Sequence, residues 1–365
     1  MIGTNASAPT GNSINAAIRK HENNFNLIRL LAATQVLIVH AGNHFGFQHP
    51  VLSALEIFPG VPIFFFISGL LVYASFERLG FDGIRAFFAN RAARIYPGLW
   101  VCTAVAVLSV VASGYLHGRE VSALALVKWL AGQVTFVTFY NPAFMRSFGS
   151  GVLNGSLWTI AVELQFYALV PLLYVLLRRG TMWWLLLLLA SLTVNVVTRA
   201  FLNWDVLAWK LLYVSFVPWV YMFLFGCWVW SRPDVRARLL AWPAVPVFGA
   251  YALSMLFIGE YADNAQNGIN PISFLLLTVL LLKFAFADFG RVGRAFMKTD
   301  LSYGLYLYHM PVINLLLYTN VLPAWGAFVA TAVLTLALAA LSWWLVEKPA
   351  LDLKKRWDRR ALSAA

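Results

Sequence analysis

Apolar runs of about twenty residues recur along this chain from Leu27 to Val346, and they restrict its fold more than any other feature. A hydrocarbon core ~30 Å thick is crossed by ~20 helical residues rising 1.5 Å each. The chain has 365 residues, of which 61% are hydrophobic and only 12% charged, with a mean hydropathy of +0.73. A soluble chain of that length needs more charge to cover its surface. No alternation of period two is sustained, which argues against an outer-membrane barrel. The predicted fold is all-α: a polytopic integral membrane helical bundle.

Ten transmembrane helices are predicted, at about 27–46, 58–77, 95–115, 157–177, 182–200, 212–231, 240–259, 272–287, 302–320 and 324–346. Of the 27 Lys and Arg residues, all but Arg119, Lys128, Arg146, Arg199 and Lys210 then fall on one side. By the positive-inside rule both termini are cytoplasmic. The same rule accounts for the net charge of +12 without nucleic acid. Three segments are expected: a polar cytoplasmic stretch over 1–25, a membrane domain over 26–347 and a basic cytoplasmic tail over 348–365. Residues 1–25 have no apolar core of a signal peptide, so the first span is expected to act as an uncleaved anchor. An outside loop over 116–156 carries an apolar stretch, 121–140, read as interfacial or re-entrant, with an extra pair of spans as the alternative. Asn141-Pro142 and SFGSGVLNGS read as flexible connections. Cys102 and Cys227 have no CxxC spacing, and neither a disulfide nor a metal site is expected of them.

Ionisable residues inside apolar spans are costly, and they are functional or paired. Three stand out: His40 in LLAATQVLIVH, Glu163 in LWTIAVELQFY and His309 in LYLYHMPV. On a helix Arg29, Ala33, Val36, His40 and His44 share one face. His40 is placed in the outer part of its span, ~20 Å beyond Leu27. It reads either as a reacting imidazole or as a histidine bonded between helices. A metal pair with His44 has no HExxH and no carboxylate companion, so no metal is expected. Glu163 is placed at the depth of His40, where pairing would orient the ring and raise its basicity. A salt bridge from Glu163 to Arg29 or another buried arginine is the alternative. Trp158, Thr159, Gln165, Phe166 and Tyr167 surround Glu163 with groups suited to a sugar-like ligand.

Arg91 and Arg94 stand three residues apart in RAARIYP, at the cytoplasmic end of the third span. They face one way on a helix and suit phosphate, with simple topology as the rival explanation. Tyr96-Pro97 reads as the start of the helix. Ser302, Tyr306 and His309 share a face. His309 is expected a turn or two inside the cytoplasmic boundary, where it contacts a donor or simply packs. Glu347 is expected to pair with loop arginines. No GxSxG, Walker or Rossmann motif appears in its required context, so hydrolase, ATPase and redox readings lack support.

Five landmarks in order give the chain a wider meaning: NFNLIRLLAATQVLIVH, GVPIFFFISGLLV, RAARIYPGLW, GSLWTIAVELQFYALVPLLY, and SYGLYLYHMPV followed by WWLVEKP. Together they resemble the acyltransferase-3 family of integral membrane acyltransferases over nearly the whole chain. The resemblance implies transfer of an acyl group, commonly acetyl from acetyl-CoA, to a carbohydrate hydroxyl in a bacterial inner membrane. His40 matches the family's first-span histidine, Arg29 its motif arginine, Arg91 and Arg94 its arginine pair, and Glu163 its glutamate. Asn26 and Pro62 depart from the pattern, standing where many members have Asp.

The expected partners are acyl-CoA, a carbohydrate acceptor and the lipid bilayer. No cofactor is expected to stay bound, and acetyl-CoA is a co-substrate. His40 and Glu163 are the expected catalytic residues. Arg91, Arg94, Arg29, His309, Ser302 and Tyr306 are assigned to the donor, and Trp158, Tyr167 and His44 to the acceptor. Direct transfer and a covalent acyl-His40 both fit the residues. The rival classes are a proton-coupled transporter or flippase, which shares intramembrane His and Glu, and a membrane scaffold.

Overall fold

The computed structural model describes residues 23–201, 203, 205–258, 269–290 and 299–364. Residues 1–22 of the polar segment lie outside the described residues, as do Arg291, Arg294 and Lys298 of the loop expected to carry cytoplasmic charge. Regular structure among the described residues is helical throughout. In chain order the helices are α1 (Phe25–His44), α2 (Pro50–Glu56), α3 (Gly60–Leu79), α4 (Ile84–Ala112), α5 (Ala123–Val134), α6 (Trp158–Arg179), α7 (Thr181–Phe201) and α8 (Leu207–Tyr213). They continue as α9 (Val220–Ser231), α10 (Pro233–Ala241), α11 (Ala244–Phe257), α12 (Pro271–Ala285), α13 (Ser302–Thr319), α14 (Ala324–Ser342) and α15 (Lys348–Ala364). One π-helical turn, Trp343–Glu347, joins the last two.

Six helical stretches are long and apolar enough to cross a membrane, or seven if the bent pair α10–α11 is one span. This is a multi-pass membrane protein. Several of the predicted crossings have a different form, for local reasons. The span expected over 240–259 is broken by an 89° bend between α10 and α11, where Trp242-Pro243 ends the helix. The span expected over 212–231 is divided by Ser215–Trp219. Pro218 lies in that break, and the carbonyls of Val217 and Pro218 accept hydrogen bonds from Ser191 and Asn195 of α7 at 2.9 Å each. Helix α4 starts at Ile84 and passes straight through Pro97, so Tyr96-Pro97 does not open the helix. Only the Ala93 carbonyl loses its ordinary donor there.

The chain forms two compact units. The first comprises Met1–Ala32, Pro59–Arg78 and Leu169–Asp300. Within it α3 and α9 meet backbone to backbone. A methyl on Gly69 would overlap the carbonyl oxygen of Phe223, and one on Gly226 would overlap that of Phe66. Small residues at such a crossing let two membrane helices approach and gain van der Waals contact. The Cys227 thiol donates to the Gly69 carbonyl at 3.4 Å, so this cysteine is used in packing.

The second unit comprises Ala33–Phe58, Leu79–Ala168 and Leu301–Ala365. Its loop over 116–156 is not the flexible connection that Gly and Ser suggested. Met145, Phe148 and Leu153 are buried against Val110, Tyr115 and Trp129. Asn314 of α13 holds this loop from three directions. It accepts from the Ser150 N–H at 2.7 Å and donates to the carbonyls of Val152 and Leu153 at 2.7 and 2.9 Å. Gly149, at φ +55°, makes this approach possible, because a side chain there would strike Asn314. Within the apolar stretch 121–140, α5 has 12 residues. That is ~18 Å of helix, short of a bilayer crossing.

Adding one methyl at the α3–α9 crossing is expected to destabilise the protein. Gly226→Ala should lower stability by about 1–3 kcal/mol through overpacking. Gly249→Ala is the control, since a methyl there meets nothing within 4 Å. Thermal unfolding in detergent should separate the two; equal melting temperatures would contradict the close crossing.

Candidate active site

Of the candidate residues, all except Arg29 fall within the second unit. His40 lies four helical turns along α1 and is half-buried, while His44, one turn further, is exposed. His309 lies two turns into α13 and is fully buried. The two imidazoles meet. His40 Nδ1 is 3.1 Å from His309 Nε2, and the ring centroids are 5.1 Å apart. His309 is a turn or two inside its helix, as expected, but its contact with His40 was not foreseen; α1 reaches that contact after about twice as many residues as α13. At Nδ1, His40 meets an imidazole and not the Glu163 carboxylate.

A buried polar network supports His309 from the other side. Its Nδ1 lies 3.2 Å from the Leu305 carbonyl. The Tyr306 ring stands edge-on at 5.8 Å between centroids. The Tyr306 hydroxyl bonds Thr159 Oγ1 at 2.7 Å and donates to the Ser156 carbonyl at 3.1 Å. Pro311 explains why α13 and the turn before α6 are tied here. Lacking an N–H, it leaves the Leu307 carbonyl without its helical donor. Asn154 Nδ2 supplies one at 2.8 Å, and the Cys102 thiol another at 3.3 Å. Ser302 is buried on the same helix. Tyr306 and Ser302, assigned to the donor from their shared face with His309, are thus packed inside the unit.

Along α6, Thr159, Glu163 and Tyr167 follow one another at four-residue spacing, on one face. The Tyr167 hydroxyl donates to Glu163 Oε1. The Arg91 guanidinium lies over the Tyr167 ring at 5.8 Å and near the Phe87 ring at 6.0 Å. Its Nε has no hydrogen-bond partner among the described residues. Trp158 is half-buried at the start of α6. A continuous series of contacts therefore runs from His40 through His309, Tyr306 and Thr159 to α6, and on to Arg91.

The paired arginines have different surroundings. Arg94 forms an ion pair with buried Glu347 at 3.6 Å and lies over the Tyr303 ring at 5.6 Å. Ser342 donates to the other carboxylate oxygen of Glu347 at 2.9 Å. One face of the helix was expected to offer both guanidiniums to phosphate; in the fold Arg94 already faces a carboxylate. Arg29, in the first unit, pairs with Asp300 at 3.8 Å.

Tyr303, Asp300, Asn154 and Asn314 were missed from sequence. For Asn154 a signal was present, because Asn-x-Ser ahead of an apolar run is a helix-start pattern. Its side chain accepts from the Ser156 N–H at 3.3 Å. The other three had no local signal. Among the described residues no group of three or more His, Cys, Asp or Glu side chains is arranged to hold a metal ion.

A multi-pass helical protein with a histidine pair set among buried hydroxyls and flanking arginines is the kind of membrane protein built to move a group between polar partners. Comparison gives the family. Residues 22–344 match the acyltransferase-3 model, described as an acyltransferase domain, and the chain belongs to that family. It is 32% identical to nodulation protein 10 of Rhizobium leguminosarum bv. viciae, over 94% of this chain and 97% of that protein. It is 26% identical to the O-acetyl transferase of Shigella phage Sf6, over 90% of this chain and 96% of the relative. Similarity to the peptidoglycan O-acetyltransferase OatA of Listeria monocytogenes, at 25%, covers 91% of this chain and 56% of that longer protein. No solved structure matches.

The two arginines should respond differently to removal. Arg94→Ala removes the cation beside buried Glu347 and should lower stability by about 3 kcal/mol. Arg91→Ala loses only ring contacts, and its effect should stay near 0.5–1 kcal/mol. Thermal unfolding of both variants in one detergent checks this; equal losses would reject a structural role particular to Arg94.

Proposed function

We propose that the protein is a membrane O-acyltransferase that moves acetyl from acetyl-CoA to a hydroxyl of a cell-surface or lipid-linked carbohydrate. Family membership supports the acyltransferase class. The names of the phage and Listeria relatives, an O-acetyl transferase and a peptidoglycan O-acetyltransferase, favour acetyl as the group and a glycan as the acceptor. The observation that carries the reading is the His40 ring, half-buried and held at one nitrogen by His309.

In this mechanism His40 accepts the proton of the acceptor hydroxyl as its oxygen attacks the thioester carbonyl. The carbon–sulfur bond breaks, the proton passes to the departing thiolate, and the products are an acetyl ester and free coenzyme A. Arg91 is the guanidinium assigned to the donor phosphates, because it rests on the Phe87 and Tyr167 rings while Arg94 faces a carboxylate. Glu163 and Tyr167 orient the acceptor or balance the charge that His40 gains. His44 and Trp158 line the acceptor side. The protein acts in a bacterial cytoplasmic membrane, with both termini inside and about ten crossings.

Purified protein in detergent, given acetyl-CoA with a labelled acetyl group and glycan from the cells that make it, should transfer label to the glycan. His40→Ala should reduce that transfer by roughly 10²–10⁴-fold, the usual contribution of a general base. Membrane insertion should be unchanged, and stability should fall by no more than about 1–3 kcal/mol, from the buried His309 nitrogen left without its partner. Full activity in the variant would remove His40 from the chemistry.

A further inference from the structure

The two histidines form an ordered pair, and their order assigns a proton. The Leu305 carbonyl lies 3.2 Å from His309 Nδ1. A carbonyl only accepts, so the bond requires the proton on that nitrogen. A neutral imidazole protonated at Nδ1 carries its lone pair on Nε2. That atom lies 3.1 Å from His40 Nδ1, which must then be the donor. The remaining nitrogen of His40, Nε2, is left with a lone pair and no proton. Reversing the chain would need His309 doubly protonated. Its ring is fully buried, and its two nitrogens face a carbonyl and an imidazole, neither carrying negative charge. An enclosed, unpaired cation is the costly alternative.

We infer that His309 is a positioning residue that fixes the tautomer of His40 through the Leu305 carbonyl, so that Nε2 of His40 is the basic nitrogen. The inference deepens the acyl-transfer reading and rests on it for its catalytic meaning. It replaces the donor-binding role that the sequence assigned to His309. The arrangement follows the logic of a triad, in which a third group holds an imidazole in the tautomer that can take a proton. Here a neutral imidazole anchored on a main-chain carbonyl does the holding. As His40 gains a proton at Nε2, its Nδ1–H remains bonded to His309 Nε2, which faces the new charge with a lone pair. The neighbouring Tyr306 and His44 rings restrict the two imidazoles, with centroids 5.8 Å from His309 and 6.4 Å from His40 respectively.

The tautomer can be read without any activity. Wild-type full-length protein in detergent, labelled with 15N-histidine, should give a His40 signal pair with a protonated Nδ1 and a bare Nε2, assigned by its loss in His40→Asn. A His40 protonated at Nε2 would overturn the inference. Kinetics supply the second arm. His309→Leu should lower kcat for acetyl-CoA-dependent transfer by roughly 100-fold or more, with the KM for acetyl-CoA unchanged. His309→Gln, whose side-chain oxygen accepts from Nδ1–H, should recover at least a tenth of the wild-type kcat. A raised donor KM at constant kcat would return His309 to the donor site and overturn the inference. If the Leu variant does not fold, the tautomer measurement decides, since it needs no change at His309. A wild-type protein with the expected tautomer but no transferase activity would sink the functional reading and leave the assignment of the proton standing.

Discussion

A polar group enclosed within a membrane protein has no water to turn to, so each one must find a partner in the chain. Helix α13 makes that constraint visible. It carries Ser302, Tyr306, His309 and Asn314, all buried, and Pro311, which removes a backbone donor. Tyr306, His309, Pro311 and Asn314 each draw in another segment. Asn154 supplies the donor for the Leu307 carbonyl, Thr159 meets the Tyr306 hydroxyl, and His40 meets His309. Asn314 folds the loop over 116–156 onto its own helix. The second unit is organised by satisfying α13, and the histidine pair is one product of that.

Charged groups follow the same rule and divide by what they meet. Arg94 faces Glu347, and Arg29 faces Asp300. Arg236, fully buried, donates to the carbonyls of Val229 and Trp230 at 3.0 Å each, so it caps the end of α9. The Trp230 indole in turn donates to Glu77 at 2.7 Å. Basic residues that would pass for topology signals therefore include several that tie segments together. Arg91 rests on the rings of Phe87 and Tyr167, and its Nε has no hydrogen-bond partner among the described residues.

The loop over 116–156 illustrates how composition misleads. SFGSGVLNGS has the residues of a flexible linker, yet Phe148 and Leu153 are core and Asn154 is buried. Here glycine serves close approach: Gly149 allows the chain to lie against Asn314 in a left-handed conformation. The Tyr115 hydroxyl bonds the Phe144 carbonyl at 2.5 Å and closes the other side of the loop.

By itself the sequence determined the helical membrane class, the family and the single residues worth attention. Apolar length dictates helices that satisfy their own backbone, and an imidazole or carboxylate in such a run advertises itself. Periodicity also gave helical faces correctly, as with Ser302, Tyr306 and His309 on one side of α13. The tertiary structure alone decided which faces meet. It set His40 against His309, gave Arg94 to Glu347, and bent the chain sharply at Trp242-Pro243. The reason is physical: a residue's place along its own helix is local, but the stagger between helices comes from packing distant segments whose ends do not lie in one plane.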